Sequence, residues 1–184
     1  MMVQNAATPE TTYGRMQKIL HWIVAGLLAG NFAIAWSMPD IHRDTKPEGL
    51  IRLHLAVGAV ILLVAILRLL WRFRQPVPVF SGQAPPWQQR AAQATHSLLY
   101  LLLLVLPIMG WANASYRGWT IDLFGWGHLP QIVPTGSPLG RPLGDVHTVI
   151  AYVLLGLIGL HLAAALYHQF WLRDEMMSRM LPRR

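Results

Sequence analysis

The chain has 184 residues, 54% hydrophobic and 12% charged, with no cysteine and a formal net charge of +7. A soluble domain is nearer a quarter charged, so the composition points to a membrane protein. The lack of thiols excludes disulfides, thiolate metal sites, iron–sulfur clusters and covalently attached c-type haem. In so apolar a chain the basic excess reads as membrane-flanking charge, and no nucleic-acid partner is expected.

Four apolar segments, 16–38, 50–71, 92–116 and 143–172, are long enough to cross about 30 Å of hydrocarbon as helices. The first holds His21 and a Gly26-x-x-x-Gly30 pattern suited to close helix packing. It is too long for a signal-peptide core and ends in Trp36-Ser37-Met38-Pro39, not a small-residue cleavage site. The second carries His54 near its start and Gly58 one turn later. It closes on Leu67-Arg68-Leu69-Leu70-Trp71-Arg72, read as cationic and aromatic anchoring at the membrane surface.

The third segment carries His96, then Pro107, where a kink is expected, and ends at Asn113, Ser115 and Tyr116. A long connection follows at 117–144, rich in Gly and Pro and holding Trp119, Phe124 and Trp126. Loops of that length are usually functional or floppy. The fourth segment holds His147, His161 and His168, with Gly156 and Gly159 between the first two. Pro39, Pro76 and Pro85-Pro86 punctuate the other connections, and no fixed-period repeat is visible. The chain thus reads as one domain over 1–184: an all-α, four-helix, up-down membrane bundle. Eight Trp and five Tyr, mostly near span ends, suit an aromatic belt.

Ten of the fifteen basic residues lie on one side: Arg15, Lys18, Arg68, Arg72, Arg74, Arg90, Arg173, Arg179, Arg183 and Arg184. Arg43, Lys46, Arg52, Arg117 and Arg141 lie on the other. The positive-inside rule therefore places both termini in the cytoplasm of a bacterial inner-membrane protein.

That orientation sorts the histidines by depth. His147 and His161 are 14 residues apart, so they share a helix face about 21 Å apart along the axis. His54 and His147 form the outer pair; the inner pair includes His161, with His21 or His96 opposite. His168 falls at the inner interface, and His42 and His128 lie in outer loops. Ionisable side chains inside a membrane are costly and mark a pathway or a cofactor. Two imidazoles from different helices suit a six-coordinate haem iron. A zinc or di-iron site would want more ligands at one depth, often carboxylates, and the four spans hold a single carboxylate, Asp145 near the start of the fourth. Gly58, Gly156 and Gly159 suit either a bulky planar cofactor or close helix packing.

These residues resemble the bacterial cytochrome b561 family, in particular its superoxide oxidase branch. The matching blocks are Arg15-x-Gln17-x-Ile19-x-His21-Trp22, His54 with Gly58, and His96-x-x-x-Tyr100 through Leu106-Pro107-Ile108-x-Gly110. The most specific block runs from His147 through Gly159-Leu160-His161 and Leu166-x-His168 to Phe170-Trp171, followed by the tail from Arg179 to Arg184. The resemblance implies two b-type haems, the inner ligated by His21 and His161 and the outer by His54 and His147. It implies a membrane oxidoreductase that oxidises periplasmic superoxide to dioxygen and passes the electrons to ubiquinone. His96, His168 and Arg15 are then quinone-site candidates, because imidazole can hydrogen-bond a carbonyl and relay a proton.

Arg117 and Arg141 are candidates for steering superoxide; the plainer alternative is interfacial anchoring with an ion pair to Asp122 or Asp145. A second reading is a di-haem cytochrome subunit that links a dehydrogenase or hydrogenase partner to the quinone pool. A third is a haem-free channel or structural bundle. Ascorbate-using relatives have six spans, which disfavours ascorbate here. The sequence leaves room for a homo-oligomer.

Overall fold

The computed structural model describes residues 13–74, 85–138, 140–173, 177 and 180–181. Arg179, Arg183 and Arg184 of the expected basic side, and Pro76, lie outside the described residues. Four long helices make the fold: α1 (Arg15–Ser37), α2 (Gly49–Arg74), α3 (Pro86–Tyr116) and α4 (Gly140–Tyr167). A π-helical turn, His168–Leu172, continues α4, so the fourth segment is not regular α-helix to its end. Each helix is long and apolar enough to cross a membrane. A two-stranded antiparallel ribbon, β1 (Ile121–Asp122) with β2 (His128–Leu129), lies between α3 and α4.

The apolar stretches become helices because a spanning backbone must satisfy its own N–H and C=O groups. Helix α3 begins at Pro86, with Pro85 extended before it. Proline suits the first helical turn because its missing N–H would have no intrahelical partner there. That start precedes the one read from hydrophobicity, because the first turns are polar. Arg72 and Arg74 sit in the last turn of α2, where the helix dipole favours cations.

Helices adjacent in sequence pack together: α1 on α2, α2 on α3 and α3 on α4. The buried core joins Val24 of α1, Ile61 and Ala65 of α2 and Leu103 of α3. Among the described residues no comparable packing joins α4 to α1 or α2. Large apolar side chains such as Leu63, Leu67, Val149 and Leu160 stay exposed, as expected where lipid is the solvent. Exposed aromatics gather at both ends, Phe73, Trp87 and Trp171 at the end bearing the chain termini, Trp36 and Trp126 at the other.

The close helix crossing is not at Gly26 and Gly30: a Cβ on either would meet nothing within 4 Å. It lies at the start of α4, in residues that read as part of the connection. A Cβ on Gly140 would overlap the Tyr116 ring, and one on Gly144 would lie 2.5 Å from Asn113 Nδ2. Asn113 Nδ2 also donates to Gly140 O at 2.8 Å, tying α3 to the first turn of α4. Gly140→Ala and Gly144→Ala are therefore expected to destabilise the protein by about 1–3 kcal/mol each through overpacking. Gly26→Ala should stay within about 0.5 kcal/mol. Apparent melting temperatures in detergent check both, and equal effects at the three positions would contradict this packing.

Candidate functional site

The unpacked side of α4 is bridged by histidines. At the loop end, His54 of α2 faces His147 of α4, with ring centroids 6.3 Å apart and planes at 85°. At the terminal end, His21 of α1 faces His161 of α4, also at 6.3 Å, with planes at 69°. His96 of α3 approaches His161 more closely, at 5.3 Å. The structure therefore brings together the outer pair expected from depth, and both candidates for the inner partner. The Nδ1 atoms of His21 and His54 are buried without a hydrogen-bond partner.

His147 is fixed from behind. Its Nδ1 lies 3.0 Å from Leu106 O, one residue before Pro107. A carbonyl only accepts, so this bond requires the proton on Nδ1 and leaves the Nε2 lone pair free to bind a metal. Such backing orients a ligating imidazole and raises its basicity. Gly110, one turn on, makes room for the ring: a Cβ there would lie 3.1 Å from His147 Cε1. Gly58, one turn after His54, meets only Asn31 Nδ2, at 3.9 Å. Gly156 and Gly159 do not flank the site. They fall 180° and about 120° round α4 from His147 at 100° per residue, and a Cβ on either meets nothing within 4 Å.

Behind the terminal-end pair stands a group that the sequence reading assigned to surface anchoring. Arg68 is half-buried and lies over the Tyr100 ring at 5.2 Å, with Arg72 over the same ring at 5.4 Å. Arg68 is within electrostatic range of His21, His96 and His161. The available sequence signal was its spacing of 14 residues from His54, the same as that between His147 and His161. His168 is half-buried, its ring 6.2 Å from that of Tyr167, and Arg15 is exposed at the first residue of α1. Lys18 and Gln17, also at this end, are buried; Lys18 Nζ donates to Leu181 O at 3.1 Å and Trp22 Nε1 to Met180 O at 3.0 Å.

The connection at the loop end is built into the fold. Trp111 Nε1 donates to Pro130 O at 2.9 Å, and Ile132 N to Ser115 Oγ at 3.3 Å. Asp122 pairs with Arg52 of α2, so neither Arg117 nor Arg141 is its partner. Arg117 instead donates to Asn113 Oδ1 at 3.3 Å and His42 O at 3.2 Å, and stacks over Trp119 at 5.0 Å. It thus joins the two loops of this end, while Arg141 is exposed.

These features define a class: a multi-pass helical membrane protein with imidazole pairs at two depths of its core. The profile of the family described as prokaryotic cytochrome b561 matches residues 12–183, and the chain belongs to that family. It is 30% identical to cytochrome b561 homolog 2 of Escherichia coli (strain K12), over 95% of this chain and 93% of the relative. It is 31% identical to the probable superoxide oxidase CybB of Yersinia pestis, over 94% and 97%. With cytochrome b562 of Cereibacter sphaeroides the identity is 29%, over 95% and 98%.

Membership implies b-type haem and an electron-transfer role. The residues present fit that group. Opposed imidazoles on one iron, with metal–nitrogen bonds of about 2.0 Å, place their ring centroids roughly 6 Å apart. Both 6.3 Å pairs meet that spacing, and they span the side on which α4 stands off α1 and α2.

Asp122 also supplies a pH-dependent element. The Gly125 N–H donating to Asp122 Oδ1 at 3.0 Å, and then the Arg52 guanidinium, hold its carboxyl below the usual carboxylate range. A depressed folded-state value stabilises the ribbon above the unfolded value of about 3.9, and the contribution is lost as pH falls through the folded value. Amide-exchange protection of Leu123 and Trp126 should therefore fall in strong acid, below about pH 4, and Asp122→Asn should lower it at neutral pH and flatten the profile. Unchanged protection in that variant at neutral pH would show that the carboxylate does not hold the ribbon.

Proposed function

We propose that this protein binds two haems b and oxidises superoxide to dioxygen at its loop end while reducing ubiquinone at its terminal end. The equal 6.3 Å separation of two imidazole pairs at opposite ends of α4 carries this reading. His54 and His147 would hold the haem at the loop end, and His21 and His161 the haem at the terminal end. The 5.3 Å approach of His96 to His161 is closer than opposed axial ligands would sit, which favours His21 as the partner. Haem, when bound, supplies one-electron carriers at both depths.

The kinship to a probable superoxide oxidase supports the choice of donor. Two superoxide ions each give up one electron and leave as dioxygen; one quinone takes both electrons and two protons. The loop end therefore needs no acid–base group, only a way to gather an anion. Exposed Arg141 suits long-range steering, whereas Arg117 contributes charge from a fixed position. The terminal end needs protons, and His96, His168 and Arg15 are the residues proposed for the quinone there. An imidazole nitrogen can donate to a quinone carbonyl and be reprotonated from water near neutral pH. The basic excess at this end favours a cytoplasmic location for it in the bacterial inner membrane.

Wild-type protein should carry two haems per chain by pyridine haemochrome, and His21→Ala and His54→Ala should each retain one. Gly110→Val should selectively weaken the haem backed by His147. Stopped-flow mixing with superoxide should reduce haem rapidly, more slowly at high salt, and more slowly in Arg141→Gln. With ubiquinone present, superoxide should be consumed with release of dioxygen and no peroxide. Stoichiometric peroxide, or indifference to quinone, would reject the superoxide:quinone activity and leave the haem assignment standing.

A further inference from the structure

Helix α2 repeats, in altered form, the device used by α4. On α4 His147 and His161 lie 14 residues apart on one face; on α2 the residue 14 after His54 is Arg68. Arg68 therefore faces the same way as a core histidine, at the depth of the other pair. Its neighbours Leu67 and Leu70 are 48% and 53% exposed, on the lipid side, whereas Arg68 is half-buried. It lies six residues before the end of α2, about 9 Å inside the helix terminus at 1.5 Å per residue.

A guanidinium at that position stays charged and is costly unless an anion meets it. Tyr100 does not supply one. Its ring accepts Arg68 at 5.2 Å and Arg72 at 5.4 Å, gathering two positive charges on one neutral group. Among the described residues the ion pairs are those of Asp122, at the far end, and no carboxylate meets Arg68 or Arg72. Helix α3 contributes His96 to the same cluster, and α1 and α4 contribute His21 and His161; the other groups within range of Arg68 are Arg72 and the phenols of Tyr13 and Tyr100. Among the described residues the arrangement thus holds no carboxylate, and a quinone, being neutral, would not provide a negative charge.

We infer that Arg68, with Arg72 and the Tyr100 ring that holds them, is a carboxylate-binding site for a propionate of the haem between His21 and His161. This rests on the proposed haem reading. The fork of a guanidinium matches a carboxylate with two parallel N–H···O bonds, and the low-dielectric setting strengthens them. The same chemistry could be met by an anionic lipid headgroup, but the core-facing position of Arg68 favours the haem.

The test uses His54→Ala protein, which keeps the terminal-end site alone, in nanodiscs of phosphatidylcholine. Haem content of the wild type is measured first: fewer than two haems per chain removes the underlying reading, independently of Arg68. Haem-free protein is then titrated with haem and with haem dimethyl ester, whose carboxylates are blocked. The free acid should bind about ten- to a hundredfold more tightly than the ester, the scale of a hydrogen bond to a charged group. Arg68→Gln should reduce that preference to about twofold, and Arg68→Lys should leave it intermediate.

In full-length holoprotein, Arg68→Gln should lower the midpoint potential of one haem and leave the other unchanged, because a positive charge beside the iron favours the reduced state. Equal affinity for acid and ester in the Arg68-containing protein would overturn the proposal even if Arg68→Gln fails to fold. So would an Arg68→Gln effect that appears only when phosphatidylglycerol is added, which would assign the site to a headgroup.

Discussion

The structure depends on the cost of placing an ionisable side chain inside a membrane. A helix that lipid surrounds can carry an imidazole only where a partner or cofactor offsets its desolvation. Here α4 places His147 toward α2 and His161 toward α1, on the flank where helix packing is least. Apolar packing is concentrated elsewhere, on Val24, Ile61, Ala65 and Leu103. The bundle is held together along one path, α1 to α2 to α3 to α4, and left apart along another, where the histidines face each other.

Holding α4 at that distance is the work of the loop end. Gly140 and Gly144 let the start of α4 approach Tyr116 and Asn113 closely, and Gly110 gives His147 its place against α3. The hydrogen bond to Leu106 O sets the imidazole's tautomer as well as its direction. Trp111, Ser115 and Arg117, all from the end of α3 or just beyond it, fasten the connecting loops. Residues of α3, of the connecting loops and of the first turns of α4 thus decide how precisely the loop-end pair is held.

Much of this was legible in the chain. Apolar length gave four helices, and depth alone gave His54 with His147, because no other span histidine shares that level. Between His21 and His96 depth could not choose, and the structure explains why: both rings lie beside His161. Helix ends were missed where polar residues or glycine continue a helix, at Pro86 and Gly140, because hydrophobicity marks the lipid-facing stretch rather than the helix. The closely packed glycines, Gly140 and Gly144, stand elsewhere than the small-residue spacing suggests. Spacing identifies a small-residue pattern, but only the partner helix decides whether anything approaches it, and among the described residues nothing comes within 4 Å of a Cβ on Gly26, Gly30, Gly156 or Gly159. Arg68 was misread because an arginine near a span end usually reaches the interface; its phase relative to His54 was the better guide.

The two ends differ in a way that bears on the direction of electron flow. At the loop end the histidine pair is backed by a backbone carbonyl and a glycine, groups that neither titrate nor move charge. Its exposed cations, Arg43, Lys46, Arg52 and Arg141, lie outside the pair, and Arg52 is already matched by Asp122. At the terminal end the pair is surrounded by His96, Arg68 and Arg72. Positive charge close to a redox centre stabilises its reduced form, so this clustering would raise the electron affinity of a centre at the terminal end relative to one at the loop end. An anionic carboxylate on Arg68 would moderate that difference without abolishing it, since the charge of Arg72 remains. A donor that releases an electron and no proton suits the first environment. An acceptor that needs both suits the second, where imidazoles stand next to the pair.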